Sequence, residues 1–214
     1  MALTDLFRRR EEAEAVAAPA SPATVPYKAL PKFLAALRAK AQPVLLDLGP
    51  VVGPNLTFFG EELGCKVFVE DLYADIDRHV RAGTSEALPA FLSSRFDRID
   101  SGVDGVLCWD VFDFLDKPAA QVLAAQLSRV MRPDAVALAS FATTPATPGT
   151  EPVYTRRTIV DEATVRLRTY PAAQGRRAPM LNGDIIRMFE PVRVVEQLLL
   201  KSNVREVFFR KPGA

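Results

Sequence analysis

The hydrophobic positions of this chain change between helical spacing and short unbroken runs. Four of them recur at the spacing of one helical face and predict an amphipathic helix: Leu30, Phe33, Leu34 and Leu37. Residues 44–46 and 67–69 are instead short apolar runs without alternation. Such runs are typical of strands that are buried on both faces.

Helices and strands alternate along residues 30–141. Further buried strands are predicted at 106–109 and 136–141, and a short one near Arg95–Ile99. Helices are predicted between the strands, opened by Pro54 and Pro118 or ended by glycines. Alternating strands and helices indicate a parallel sheet covered by helices on both faces.

After Phe141 the pattern favours antiparallel pairs. Residues 154–160 and 164–170 flank a short polar segment and predict a hairpin. Asn182 is expected to cap a short helix. Residues 194–200 and 204–209 are joined so closely that they must run antiparallel. The pattern therefore predicts an α/β fold, a doubly wound and mostly parallel sheet with an antiparallel C-terminal strand pair.

The N-terminal segment, residues 1–26, differs from the rest. Its prolines at 19, 22 and 26 indicate an extended linker, and its helical stretch has no apolar stripe continuous with the core. We therefore expect a flexible tail and Pro-rich linker over residues 1–26, followed by one domain over residues 27–214.

Charge and composition narrow the class of protein. The 214 residues include 27 Lys and Arg and 26 Asp and Glu, which give a formal net charge of +1. Nucleic-acid binding needs a surplus of basic residues, so no nucleic-acid partner is expected. The sequence contains neither a signal-peptide pattern nor an apolar run of about 18 residues. Two cysteines, Cys65 and Cys108, lie in apolar runs. A cytoplasmic protein with buried thiols is expected.

The segment between the first two predicted strands is the most informative one. The first strand leads into residues 47–53 (DLGPVVG), and the second strand ends in Glu70 and Asp71. Gly49 would let a ligand approach the backbone, and Gly53 would let the turn enter the helix tightly. An acid about 20 residues beyond the loop is suited to binding ribose hydroxyls. Together these features outline a nucleotide-binding unit.

These segments resemble those of the class I S-adenosylmethionine-dependent methyltransferases, whose fold is Rossmann-like. The resemblance spans roughly residues 30–210 in the family's order. It is carried by an acid followed by spaced glycines, a second strand with its acid, a fourth strand, and the helix and turn before the fifth strand: residues 47–53, 64–71, 104–110 and 127–135.

The resemblance implies S-adenosylmethionine as cofactor and assigns residues to its site. The cofactor-binding candidates are five: Asp47, Gly49, Gly53, Asp71 and Trp109. Glu70 is the alternative to Asp71 for the ribose. Asp110 is the candidate catalytic residue, as proton acceptor for a hydroxyl or amine. The expected reaction is methyl transfer to an unknown, small-molecule acceptor.

Several alternatives stay open. The family's middle glycine is replaced by Val51, which favours a methyltransferase-like domain that has lost catalysis and binds a partner. An ordinary packing loop on the same fold is another possibility. Trp109 could stack on adenine or belong to the core. Asp110, Asp113 and Asp116 could form a polar wall, a cation site, or a solvated loop with a helix cap.

Overall fold

The computed structural model describes residues 22–99 and 102–213. A six-stranded sheet forms its centre, in the order β3-β2-β4-β5-β9-β8. The first four strands of that order are parallel to one another, and β9 and β8 are antiparallel to their neighbours. Their bounds are β2 Val44–Asp47, β3 Lys66–Val69, β4 Val103–Trp109, β5 Met131–Ala142, β8 Arg193–Leu199 and β9 Val204–Arg210. The predicted fold class is confirmed.

Six helices connect and cover the strands in the described part of the chain. They are α1 Leu30–Arg38, α2 Gly53–Thr57, α3 Leu72–Arg81, α4 Leu88–Ser94, α5 Lys117–Val130 and α6 Asn182–Phe189. A π-helical turn, Phe58–Glu62, extends α2. Helices α3 to α6 pack on one face of the sheet and α1 on the other, so both faces bury apolar side chains. None of these helices has the length and apolar character needed to cross a bilayer.

A second sheet of three antiparallel strands lies against the face that α1 covers. Its order is β1-β7-β6, with β1 Ala23–Pro26, β6 Val153–Ile159 and β7 Thr164–Pro171. The buried side chain of Asn55 joins helix α2 to the second sheet: its Nδ2 donates to the carbonyl of Arg157 at 2.9 Å, and its Oδ1 accepts from the Ile159 amide at 2.8 Å. The antiparallel pairing of β6 with β7 confirms the predicted hairpin, and Asn55 fixes it to helix α2.

Local expectations fail in three places. Residues 95–98 form a turn after α4, so no strand occupies Arg95–Ile99. Leu181, not Asn182, precedes helix α6, without a side-chain cap. Residues 23–26, assigned to the linker, pair with β7 as strand β1, and residues 1–21 lie outside the described part.

Candidate functional site

The carboxyl ends of the parallel strands bring most of the predicted site residues together. Strands β2 and β4 are neighbours, and the chain runs from β2 to β3 on one side of this pair and from β4 to β5 on the other. Open α/β sheets bind ligands in the crevice outside such a switch point. Asp47 ends β2, Glu70 and Asp71 follow β3, and Trp109 ends β4.

Asp47, Gly49 and Trp109 form one closed unit at this crevice. Asp47 Oδ1 accepts from the amide of Gly49 at 2.9 Å and from the indole nitrogen of Trp109 at 2.7 Å. A Cβ on Gly49 would lie 2.8 Å from two indole atoms. Burial raises the pKa of Asp47 to about 6, although both hydrogen bonds lower it. The glycine is therefore required by the ring that lies against it.

Trp109 itself is held in an unusual backbone conformation. Its φ of 51° lies in the left-handed region, which residues with a side chain rarely adopt. Tyr27 contacts the indole edge to face, with ring centroids 5.8 Å apart, and the Arg157 guanidinium lies 5.9 Å from its centroid. Backbone strain of this kind persists where the surroundings over-determine it, often at functional sites. Here the buried indole belongs to the core beneath the crevice.

The remaining two loop positions are less constrained than expected. Gly53 begins helix α2, and a Cβ there would meet no described atom within 4 Å. A tight turn therefore does not explain Gly53 in this structure. Val51, which replaces the middle glycine of the resembled motif, is 40% exposed. Its side chain does not fill the space beside Gly49, which the indole occupies.

The two acids after β3 have separate tasks. Glu70 is 1% exposed and is paired with Arg98 and with Arg95, whose Nη1 lies 2.8 Å from Oε2. Asp71 is half-buried and caps helix α3, with Oδ1 accepting from the Ala74 amide at 3.0 Å. Glu70 thus ties β3 to the turn after α4. Asp71 remains the better candidate for a ligand contact.

The acids that follow β4 do not converge on one point. Asp110 Oδ1 accepts from Arg157 Nη1 at 2.6 Å and from the hydroxyl of Tyr73. Burial opposes ionisation of Asp110, but the guanidinium outweighs it and holds the pKa below its ordinary value. Asp116 caps helix α5. The described residues contain no cluster of three or more potential metal ligands, so the cation-site hypothesis gains no support.

Asp113 is buried and makes a different hydrogen bond from Asp110. Its Oδ2 accepts from the Ala142 amide at 2.9 Å, which joins the β4 loop to the end of β5. Burial, reinforced by the nearby charge of Asp110, raises its pKa to about 7. A carboxyl group of this kind changes charge near neutral pH.

Sequence reasoning missed several residues that complete the crevice. Arg157 comes from β6, Tyr27 precedes α1, and Tyr73 comes from α3. The Tyr27 hydroxyl is 2.6 Å from Ser140 Oγ. No motif marks these positions, because each reaches the site through tertiary packing of a segment that carries no signature. A single Arg157 within a hairpin has no distinguishing pattern.

The residues at the switch point are chemically suited to bind a cofactor that consists of a nucleoside joined to an amino acid. Acids at the ends of β2 and β3 can accept hydrogen bonds from amino and ribose hydroxyl groups, and Gly49 has no side chain to obstruct a ligand. Oδ1 of Asp47 already accepts hydrogen bonds from the Gly49 amide and the Trp109 indole. The indole also fills the space on the side of Gly49 where a Cβ would lie.

Comparison with known proteins gives structural likeness alone. No protein-family model matches the sequence, and no curated protein does. The glycopeptide N-methyltransferase MtfA shares 17% identity over 85% of this chain and 94% of its own, with a TM-score of 0.43. The 1,6-didemethyltoxoflavin-N1-methyltransferase of Burkholderia thailandensis shares 16% identity over 97% of this chain and 83% of its own, with a TM-score of 0.45. The CcbJ methyltransferase of Streptomyces caelestis shares 13% identity over 85% of this chain and 93% of its own, also with a TM-score of 0.45. At these values the fold assignment rests on this chain's own strand order.

Proposed function

We propose that the protein is an S-adenosylmethionine-dependent methyltransferase that acts on a small-molecule acceptor. One observation carries the proposal: the fold brings Asp47, Asp71 and Asp110 to the carboxyl ends of adjacent strands at the switch point of the sheet. The resemblance of residues 47–53 and 64–71 to the motifs of class I methyltransferases implies S-adenosylmethionine as the cofactor.

The binding residues have distinct tasks in this proposal. Asp71, at the N-terminus of helix α3, accepts hydrogen bonds from the ribose hydroxyls with its carboxylate. Gly49 allows the cofactor to lie against the loop, and Asp47 receives its amino group once Trp109 turns aside. The cofactor, when bound, supplies an already activated methyl group. The protein's contribution is then alignment of the acceptor and exclusion of water.

Asp110 takes a positioning role instead of proton acceptance. Its carboxylate is engaged by Arg157 and Tyr73, and the lowered pKa makes it a weak base. By fixing Arg157, Asp110 holds β6 of the second sheet over the carboxyl end of β4. That sheet provides the cover that a water-excluding reaction requires.

Calorimetric titration with S-adenosylhomocysteine tests the proposal. We expect the wild type to bind and Asp71→Ser to weaken binding about 10- to 150-fold, the equivalent of about 1.5–3 kcal/mol for hydrogen bonds to a charged group. Serine keeps the helix cap, so the change removes the carboxylate alone. Asp97→Asn, at an exposed acid paired with Arg129, is the control and should bind as the wild type does.

Absence of heat and of thermal stabilisation at millimolar cofactor would reject the enzyme and leave a domain that binds a partner. Equal affinity of Asp71→Ser and the wild type would reject the ribose assignment while leaving the enzyme in place. Mass spectrometry of small molecules that copurify with the protein gives an independent check on the cofactor.

A further inference from the structure

A cavity of about 450 Å³ lies between the two sheets, beside the proposed cofactor site. Strands β1 and β7 bound it on one side, and β9 with the turn before it bound it on the other. Its volume falls within the range of small-molecule sites. Its apolar lining comes from both sheets and the turn: Val25, Val165, Leu167, Leu200 and Val204.

The cavity is continuous with the residues at the switch point. Tyr27 and Arg157 both line it. Tyr27 also contacts the indole of Trp109, and Arg157 is paired with Asp110 at 2.6 Å. Strand pairing places Ser140 beside Glu206 and Ala139 beside Trp109, so the cavity and the cofactor site are at one level of the sheet. A molecule in the cavity would lie next to the cofactor.

Glu206 is an unusual member of the lining. The residue is fully buried in the interior strand β9. Its Oε2 accepts from the Ala29 amide at 2.7 Å, whereas Oε1 is buried without a hydrogen-bond partner among the described residues. Burial raises the pKa of Glu206, partly offset by the amides of Ala29 and Lys28. An unsatisfied buried carboxylate oxygen costs free energy unless a ligand supplies a donor.

We propose that this cavity is the acceptor pocket, and that it takes an apolar molecule with an amine that donates to Glu206. That the bound molecule is the methyl acceptor rests on the proposed function, whereas the chemical class of the ligand does not. An apolar body fits the lining, and a donor group meets the unpaired oxygen. A carboxylate at the same depth has no hydrogen to donate to Oε1 of Glu206 and would leave that oxygen unpaired. Three cations also line the cavity: Lys28 and Lys201 are exposed, where water screens their charge, and the buried Arg157 is paired with Asp110.

Matched pairs of small probes test the ligand class by calorimetry and ligand-observed NMR. 2-Phenylethylamine and tryptamine are compared with 3-phenylpropionate and indole-3-propionate, which have the same rings. We expect the amines to bind at least tenfold more tightly than the carboxylates. Glu206→Gln should abolish this preference, because the amide still accepts from Ala29 but carries no charge. Glu196→Gln, at an exposed position of β8, should leave it unchanged.

A second variant keeps the test decisive if Glu206→Gln fails to fold. Leu167→Trp adds bulk to the lining from β7 and should block all four probes. No amine binding at 10 mM, a preference for the carboxylates, or amine binding that survives Leu167→Trp would each overturn the proposal. Titration with S-adenosylhomocysteine is run on the same samples. Amine binding without cofactor binding would reject the methyltransferase and keep the cavity's ligand class.

Discussion

The indole nitrogen of Trp109 donates a 2.7 Å hydrogen bond to the Asp47 carboxylate and thereby joins the ends of strands β4 and β2. The same carboxylate oxygen accepts from the Gly49 amide, so the loop after β2 is folded back onto the ring. The bond joins the two strand ends and, in the proposed function, competes with the cofactor for Asp47. Stability and ligand affinity should therefore respond in opposite directions when the bond is removed.

Trp109→Phe should lower the stability of the protein and raise its affinity for S-adenosylhomocysteine. The variant loses a hydrogen bond to a buried carboxylate, which costs about 1–3 kcal/mol of folding free energy. Binding no longer has to break that bond, so the affinity should rise by up to about tenfold. Urea unfolding and calorimetric titration measure the two quantities.

Leu123→Ala is the control for Trp109→Phe, because Leu123 is fully buried in helix α5, away from the crevice. This change should cost about 2–5 kcal/mol of stability and leave the affinity as it is. Weaker cofactor binding in Trp109→Phe would show that the indole supports the ligand.

Gly49 and Gly53 should respond differently to the same substitution. Gly49→Ala places a methyl group 2.8 Å from the indole, so the ring or the loop must shift, at a cost of about 1–3 kcal/mol. Gly53→Ala meets no described atom within 4 Å and lies in the first turn of α2. It should be neutral or stabilise by up to about 1 kcal/mol. Equal unfolding midpoints for the two variants would contradict the packing of the ring on Gly49.

Asp113→Asn should flatten the dependence of stability on pH. The native pKa of Asp113, about 7, lies above its ordinary value of 3.8. Between about pH 4 and pH 7 the unfolded chain gives up this proton while the native state keeps it, so stability falls as pH rises. The loss amounts to a few kcal/mol at most.

Denaturation of the wild type and of Asp113→Asn across that range isolates the contribution of Asp113, because every other group is shared. The variant should gain relative to the wild type as pH rises. The asparagine oxygen can still accept from the Ala142 amide, so the connection to β5 persists. Parallel curves for the two proteins would show that Asp113 does not titrate in this window.

The parallel core was predictable because each of its signals is local. Apolar runs such as residues 44–46 have no polar position to alternate with, and Gly64 and Gly83 follow their helices with φ of 65° and 66°. The strand predicted near Arg95–Ile99 is wrong because the apolar Phe96 and Ile99 are buried by a turn and the residue after it, not by a strand. Burial alone does not specify the backbone conformation.

The candidate site was predictable only in the residues that belong to motifs. Asp47, Gly49 and Asp71 follow strands in a known order, which the sequence displays directly. The contact of Trp109 with Asp47 depends on β2 and β4 being neighbours, although 62 residues separate the two side chains. Arg157 reaches Asp110 from another sheet. Partners such as these are chosen by tertiary packing and leave no local pattern.

Two N-terminal truncations test whether residues 23–26 act as the linker expected from the sequence or as a strand that stabilises the domain. Residues 23–26 pair with β7 over four positions, and Val25 packs against the buried cluster beside α1. Removing residues 1–21 should leave the melting temperature unchanged. Removing residues 1–26 should lower it by about 2–8 °C, because loss of the strand and of Val25 costs about 1–2 kcal/mol and each kcal/mol corresponds to about 2–4 °C for a chain of this size.

Ser202, Leu167 and Val25 line the same cavity, so the longer truncation should also open it. Binding of 2-phenylethylamine should then weaken together with the melting temperature, whereas the shorter truncation should affect neither. Replacing Val25 with Ala in the full chain is the control: it keeps the strand and removes apolar contact alone, and should give an intermediate result. Identical melting of the two truncated proteins would mean that β1 adds nothing to the stability of the domain, in which case the boundary at residue 27 expected from the sequence would hold.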